Sequence, residues 1–441
     1  MTITKRKAMA FALAAGILPL GFAGSSNAQA ITFSAYYKLP GGNGTEPGID
    51  HTLDSNGKQV TYVHGTFGIP SHNKLWRMDD SLVRNAASGF KSITFTTPYN
   101  RLPGGGDADV AARGDDVWFI DLWAGSNSIQ YSPDKGETWT RGTPLSSIPT
   151  SDRQWISLGD STINPVTNET ETTVYLTDQG LLTPRRTTFA RSRNNGLVWD
   201  YYRPVSDSPA SLGMGGIPAH IVSAGKRVAI ASNSGGRFNV AVSNDEGENW
   251  KVTSVSGSLS DANGSLVGLT MNAENPDDLA IVYPTDGNIN GVTNRNAITV
   301  RVSRDGGDTW SDITQLSPAG KIGWFPWVDW RGDKIAVAWY QATNGGFTDP
   351  NNPTPGNQWN VYYSESIDNG ANWTTGMDIG AGPVKNGAIC TNGLACDADR
   401  DLGDFLQLAV DYAGKSWITF VNAGGLNQAL FGNGIYVKVQ D

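Results

Sequence analysis

Long helix-period segments are missing from this chain of 441 residues, basic charge is short, and cysteine occurs only twice. The first absence, with 53 glycines and 15 tryptophans, argues for many short strands joined by tight turns. The second follows from 33 Lys and Arg against 42 Asp and Glu, an acidic balance that repels phosphate backbones and excludes nucleic acid as a partner. No Pro/Ser tract divides the chain, so one closed β domain is expected over 31–441 although the length alone allows two or three.

What is present begins with an export signal. "MTITKRKAM" is a basic lead, "AFALAAGILPLGFA" an apolar stretch, and "NAQA" a small-x-small ending that places cleavage after Ala30. The apolar run is short and contains Pro19, so it predicts no membrane span once residues 1–30 are removed. No cysteine follows the cut, which argues against a lipoprotein, and the expected location is periplasmic or extracellular. Losing Lys5, Arg6 and Lys7 takes the formal charge from −9 to −12, that is −9 − 3. In such a compartment Cys390 and Cys396 are expected to pair across "CTNGLAC".

The octet "SPDKGETW" at Ser132–Trp139 returns as "SRNNGLVW", "SNDEGENW", "SRDGGDTW" and "SIDNGANW". Its serines, Ser132, Ser192, Ser243, Ser303 and Ser366, are spaced by 60, 51, 60 and 63 residues. Each octet follows an alternating segment such as "FNVAV" or "AITVRV", as on a half-buried strand. The Ser and Asp or Asn side chains suit local bonds to turn backbone, and the fifth-position glycine suits a positive φ. Periods of this size indicate stacked or radially arranged units, and a four-stranded propeller blade fits them.

The octets resemble the Asp-box, or bacterial neuraminidase repeat, of the sialidase-like superfamily, whose pattern is Ser-x-Asp-x-Gly-x-Thr-Trp. The likeness implies an all-β propeller. It also implies that Asp134, Asn194, Asp245, Asp305 and Asp368 are structural, on the rim away from the substrate mouth. Seven strand pairs, from "EPGIDHTLDSNGKQVTYVHG" to "GDFLQLAVDYAGKSWITF", favour seven blades closed by strands from both termini. Six, the sialidase number, is the alternative.

Function is expected opposite the Asp boxes, where inner strands begin. Asp50, Asp109, Trp155, His220, Gly268 and Gln407 fall in one register there, with Asp329 nearby. Asp107, Asp152, Arg153, Trp324, Trp327, Arg400 and Asp404 flank them. Such a ring either solvates a wet channel or forms a site. As a site, Asp107, Asp109 and His220 are the catalytic candidates for acid–base work. Arg153 would clamp a substrate carboxylate. Asp50, Trp155, Trp324, Trp327, Arg400 and Asp404 complete the binding set, with the tryptophans either sugar platforms or core. Asp397, Asp399 and Asp401 in "CDADRDLGD" suggest a Ca²⁺ loop or an exposed acidic turn; no cofactor is otherwise required.

Sialidases open their catalytic domain with Phe/Tyr-Arg-Ile-Pro, whereas "FGIP" at Phe67–Pro70 carries Gly68 at the arginine. Neither a Tyr–Glu pair nor the remaining arginines of the triad is recognisable, so exo-sialidase activity is not expected. The expectation is a secreted enzyme, glycoside hydrolase or polysaccharide lyase, acting on an acidic glycan. A glycan- or protein-binding propeller without catalysis is the alternative, and an assembly factor is a third. Nothing in the sequence specifies an oligomeric state.

Overall fold

The computed structural model describes residues 30–33, 35–68, 72–83, 89–93, 105–123, 126–141, 151–180, 186–206, 213–234, 237–255, 267–289, 292–391, 396, 400–425 and 432–441. Residues 1–29, most of the expected leader, lie outside that set. Thr32–Asp441 form one compact unit. Its strands fall into seven antiparallel sheets, each with a path of four strands, and a further short strand joins the sixth.

The inner strands, in chain order, are Thr45–Leu53, Ala108–Arg113, Ser151–Ile163, Val222–Ala224, Gly268–Met271, Gly323–Arg331 and Gln407–Val410. The first six blades are contiguous in sequence. In the seventh, Gln407–Val410, Ser416–Asn422 and Gly434–Val439 are completed by Ala35–Lys38 from the other end of the chain. Tyr37 pairs with Val437 there. The seventh blade has no Asp box because its outer strand arrives without a connecting turn.

The alternating segments are buried on both faces instead of half-buried. The segment FNVAV, residues 238–242, is buried at every residue, because each blade is packed between two others. The apolar cores accordingly lie between blades. Phe238 and Val240 of the fourth blade share one cluster with Leu269, Ile281 and Tyr283 of the fifth. Polar residues of these strands are buried with partners, as in the Thr61–Ser81 hydroxyl pair at 2.8 Å.

The five octets fold alike. Ser303 donates to Asp305 Oδ1 (2.9 Å) and accepts from Gly307 N (2.8 Å), while Asp305 also accepts from Thr309 N (2.8 Å). The fourth and fifth positions both take positive φ, for example Asn369 at 57° and Gly370 at 87°. Glycine at the fifth has a second reason, since a Cβ on Gly307 would stand 3.2 Å from Val242 of the preceding blade. Each turn rests on its own blade's first hairpin, as in Asn369 N to Asp333 O, 2.9 Å. The Asp boxes therefore share one face with the hairpins that follow the inner strands.

Candidate functional site at the propeller mouth and channel

The inner strands are sheet edges, so their outward N–H groups need acceptors. The polar register supplies them from blade to blade. Gln407 Oε1 accepts from Ile49 N (2.8 Å), Asp50 Oδ2 from Ala112 N (2.8 Å), Asp109 Oδ2 from Ile156 N (2.9 Å), and Asp329 Oδ2 from Val410 N (2.7 Å). Four of the seven inter-blade junctions are thus bridged by one side chain each. The ring in the sequence is in large part a device for pairing edge strands.

Above it, at the mouth, a second layer is built on strained backbone. Glu46, Arg153 and Phe325 have φ of 49°, 57° and 52°. Each sits in a register shift near the start of its inner strand, within Thr45/Gly48, Asp152/Trp155 and Trp324/Trp327. Such bulges re-aim side chains, and left-handed non-glycine residues concentrate at functional sites. Arg153 Nε lies 3.4 Å from Asp107, Nη2 pairs with Asp404, and Nη1 is 3.9 Å from Glu46. Arg400 Nη2 adds contacts to Asp404 (3.1 Å) and Glu46 (3.6 Å). Burial, then the Asp107 charge, pushes Glu46 up to about 8 against the pull of Arg153 and Arg400. Asp152 is also raised, by burial and Asp107. Four carboxyl groups thus surround two guanidiniums, and one of them keeps its proton to slightly alkaline pH.

Beneath this rim, Trp155, Trp327, Phe405 and His220 pack against one another, mostly at tilted angles. Ring centroids are 5.0 Å apart for Trp155–Phe405, 5.5 Å for Trp155–Trp327 and 5.5 Å for His220–Trp327. Trp155 and Phe405 are 1 % exposed and Trp327 is 7 % exposed. Asp109 lies in the same layer, itself 1 % exposed, with Oδ2 3.3 Å from His220 Nε2. Burial draws the His220 imidazole down, but Asp109, by charge and hydrogen bond, and then Asp50 and Asp329 outweigh it, so its pKa is raised. Below this layer a cavity of about 330 Å³ follows the channel, from His220, Asp109 and Trp327 to Arg331, Gly332 and Glu274 beside the Asp-box hairpins.

The structure therefore separates the expected constellation. Asp107, Arg153, Arg400 and Asp404 meet at the rim with Asp152, whereas Asp109 and His220 form a pair below it. Arg153 cannot clamp a carboxylate bidentately, since two of its three nitrogens already hold Asp107 and Asp404; Nη1 alone has no hydrogen-bond partner among the described residues. Trp155 and Trp324, each 1 % exposed, offer no face to a sugar; Trp324 packs on Phe325, away from the other rings. Asp50 lines the channel, and burial, opposed by the N–H groups of Ala112 and His51, raises it to about 7.

Two residues escaped the sequence. Glu46 stands at a bulge that no local pattern announces. His64, fully buried, has Nε2 3.9 Å from Asp109; burial draws it down to about 4, so it is neutral. Gly48 makes room for it, as a Cβ there would fall 1.9 Å from that nitrogen.

Cys390 and Cys396 are joined. Asp397 and Asp399 lie outside the described residues, and Asp401 is paired with Lys385 at 2.8 Å. Among the described residues no group of three or more His, Cys, Asp or Glu is arranged to hold a metal ion. No helix there is long and apolar enough to cross a membrane. Gly68 lies on a loop past the first blade's second strand, bonded through its N–H to Gly105 O (2.8 Å).

Seven four-stranded blades, five of them carrying the Asp-box turn, define the class: the chain is an all-β, seven-bladed propeller. Residues 117–324 match the BNR repeat-like domain. No curated protein sequence matches the chain. Among solved structures it is similar to an α-L-arabinofuranosidase from Fusarium graminearum, at 14 % identity over 79 % of this chain and 96 % of that one, TM-score 0.42. It is also similar to a sialidase from Streptococcus pneumoniae (13 %, 91 % and 70 %, TM-score 0.41) and to the Aleuria aurantia lectin (11 %, 78 % and 98 %, TM-score 0.45). At these identities the likeness is one of fold.

Proposed function

We propose that the chain is a carbohydrate-active enzyme, a glycoside hydrolase working at the mouth rim, exported in keeping with its leader. The observation that carries this reading is Glu46, a carboxylic acid kept protonated to about pH 8 beside Asp107 on strained backbone. A carboxyl pair whose proton affinities are pushed apart is suited to protonating a leaving oxygen while the partner stays ionised. Glu46 is the proton donor in this reading, and Asp107 with Asp152 supplies the basic side. Arg153 Nη1 and Arg400 hold substrate hydroxyls.

The lyase alternative is disfavoured because it needs Arg153 to grip a uronate carboxylate, and one free nitrogen is too few for a bidentate grip. The rim's carboxyl excess also opposes the acidic glycan expected from sequence and favours a neutral one. Asp109 and His220 take no part in this reaction. A binding propeller without turnover remains the second reading, because the Glu46 side chain is only 3 % exposed.

The test is mass-spectrometric product analysis of the mature protein with neutral and acidic glycans, alongside Glu46→Gln. Products that gain water from neutral glycans, with the variant slowed roughly 10²–10⁴-fold, support the proposal. Unsaturated products would restore the lyase, an equally active variant would remove Glu46 from the chemistry, and intact glycans throughout would leave the binding reading.

A further inference from the structure

The channel below the aromatic layer is a separate feature from the rim. Trp327, packed against Trp155 and Phe405, lines its upper end, and its walls continue to the hairpin at Gly332 on the Asp-box face. At about 330 Å³ it lies at the lower end of small-molecule pockets, which run from roughly 300 Å³ upward.

Its lining carries a donor with nothing to donate to. Gln407 is 3 % exposed and spends Oε1 on Ile49 N, yet its Nε2 has no hydrogen-bond partner among the described residues. An amide donor buried in that way costs stability unless something in the cavity accepts from it. His220 adds a second donor, with a side chain 26 % exposed in the channel wall.

The acceptors are equally placed. Asp50 receives His51 N on Oδ1 and Ala112 N on Oδ2, and Asp329 receives Trp330 N and Val410 N in the same way. Each oxygen keeps a lone pair for one more donor. The opening carries Arg331 and Glu274, charges of opposite sign. Trp327 gives an apolar end wall.

Donors and acceptors interleave around the cavity, where Asp50, Asp109, Asp329 and Glu274 face Arg113, Arg331 and His220, and such a mixed lining suits groups that are both at once, namely hydroxyls. We propose that this channel is a second binding site, for a small neutral polyhydroxylated molecule of monosaccharide size entering from the Asp-box face. Its ligand makes no contact with the rim, so the site stands whether or not the mouth is catalytic.

Isothermal titration of the mature protein with glucose, myo-inositol and, as a cationic contrast, tetramethylammonium tests this. Saturable binding of a polyol is expected, with no response to tetramethylammonium. Gln407→Glu keeps the acceptor for Ile49 and removes the open donor, and is expected to weaken the polyol roughly five- to tenfold. His220→Gln serves as an independent channel variant with a similar loss expected. Glu46→Gln at the rim should bind the polyol as the parent does. Binding lost in the rim variant but kept in both channel variants would move the ligand to the mouth, and the absence of any polyol binding at millimolar concentration would overturn the proposal. So would a stronger response to the cation. Failure of glycan turnover bears on the rim alone.

Discussion

At the scale of single residues, the most informative group is Glu46. In the unfolded chain its pKa is ordinary, near 4.5, and in the folded chain about 8; Asp50 behaves likewise, from 3.8 to about 7. Between those limits the folded state holds more protons than the unfolded one, so stability falls as pH rises through the folded values. His220, also raised, acts in the same direction. The Asp-box carboxylates Asp305 and Asp368, held near 2, are ionised in both states above pH 5 and add no slope there. Buried His64, lowered from 6.5 to about 4, acts the opposite way below pH 6.5, so the melting temperature should drop between about pH 6.5 and pH 9, and Glu46→Gln should flatten the drop by on the order of a few °C. A variant with the parent's slope, measured by differential scanning calorimetry, would show that Glu46 does not carry the proton.

At the scale of the element, the Asp box is a closed set of local hydrogen bonds, and its copies are unequal. Asp305 accepts from Ser303, from Thr309 N and from the Thr309 hydroxyl (2.5 Å). Asn194, in the loosest octet, accepts from Ser192 (3.0 Å) and Val198 N (2.8 Å), and Val198 has no hydroxyl to add. Asp305→Ala should cost about 1–2 kcal/mol and Asn194→Ala less, by one hydrogen bond of roughly 1 kcal/mol. Urea titration decides it, with equal losses contradicting the ranking. This element was legible in sequence because the hydrogen bonds that close the turn on itself all lie within eight residues. The bulges at Glu46, Arg153 and Phe325 were not, because a bulge is defined by the strand opposite, and nothing local marks it.

At the scale of the whole molecule, Ala35–Lys38 covers the outer edge of Gly434–Val439 and so ties the start of the propeller to its last blade. Deleting residues 31–40 would expose the edge of Gly434–Val439 and strip Lys438 Nζ of its bond to Phe33 O, 2.9 Å. The truncated chain should aggregate or melt well below the parent. A soluble truncation melting within roughly 2 °C of the parent, by circular dichroism and size exclusion, would mean that the ring closes without that strand.

The sequence alone determined the blade and the repeat and favoured seven blades closed from both termini over six, because turn chemistry and strand alternation are local and recur; the sheet topology decided for seven. The sequence also singled out the polar register at the start of the inner strands. Only the tertiary structure decided what that register does. Inner strands present unpaired N–H groups to the channel, and Asp50, Asp109, Asp329 and Gln407 reach across to the next blade to pair them. Distance between blades likewise decided that Asp107 and Arg153 belong to the rim while Asp109 and His220 lie beneath it. Spacing along a chain sets what one strand can bring together, and the packing of seven strands around an axis sets everything that passes between them.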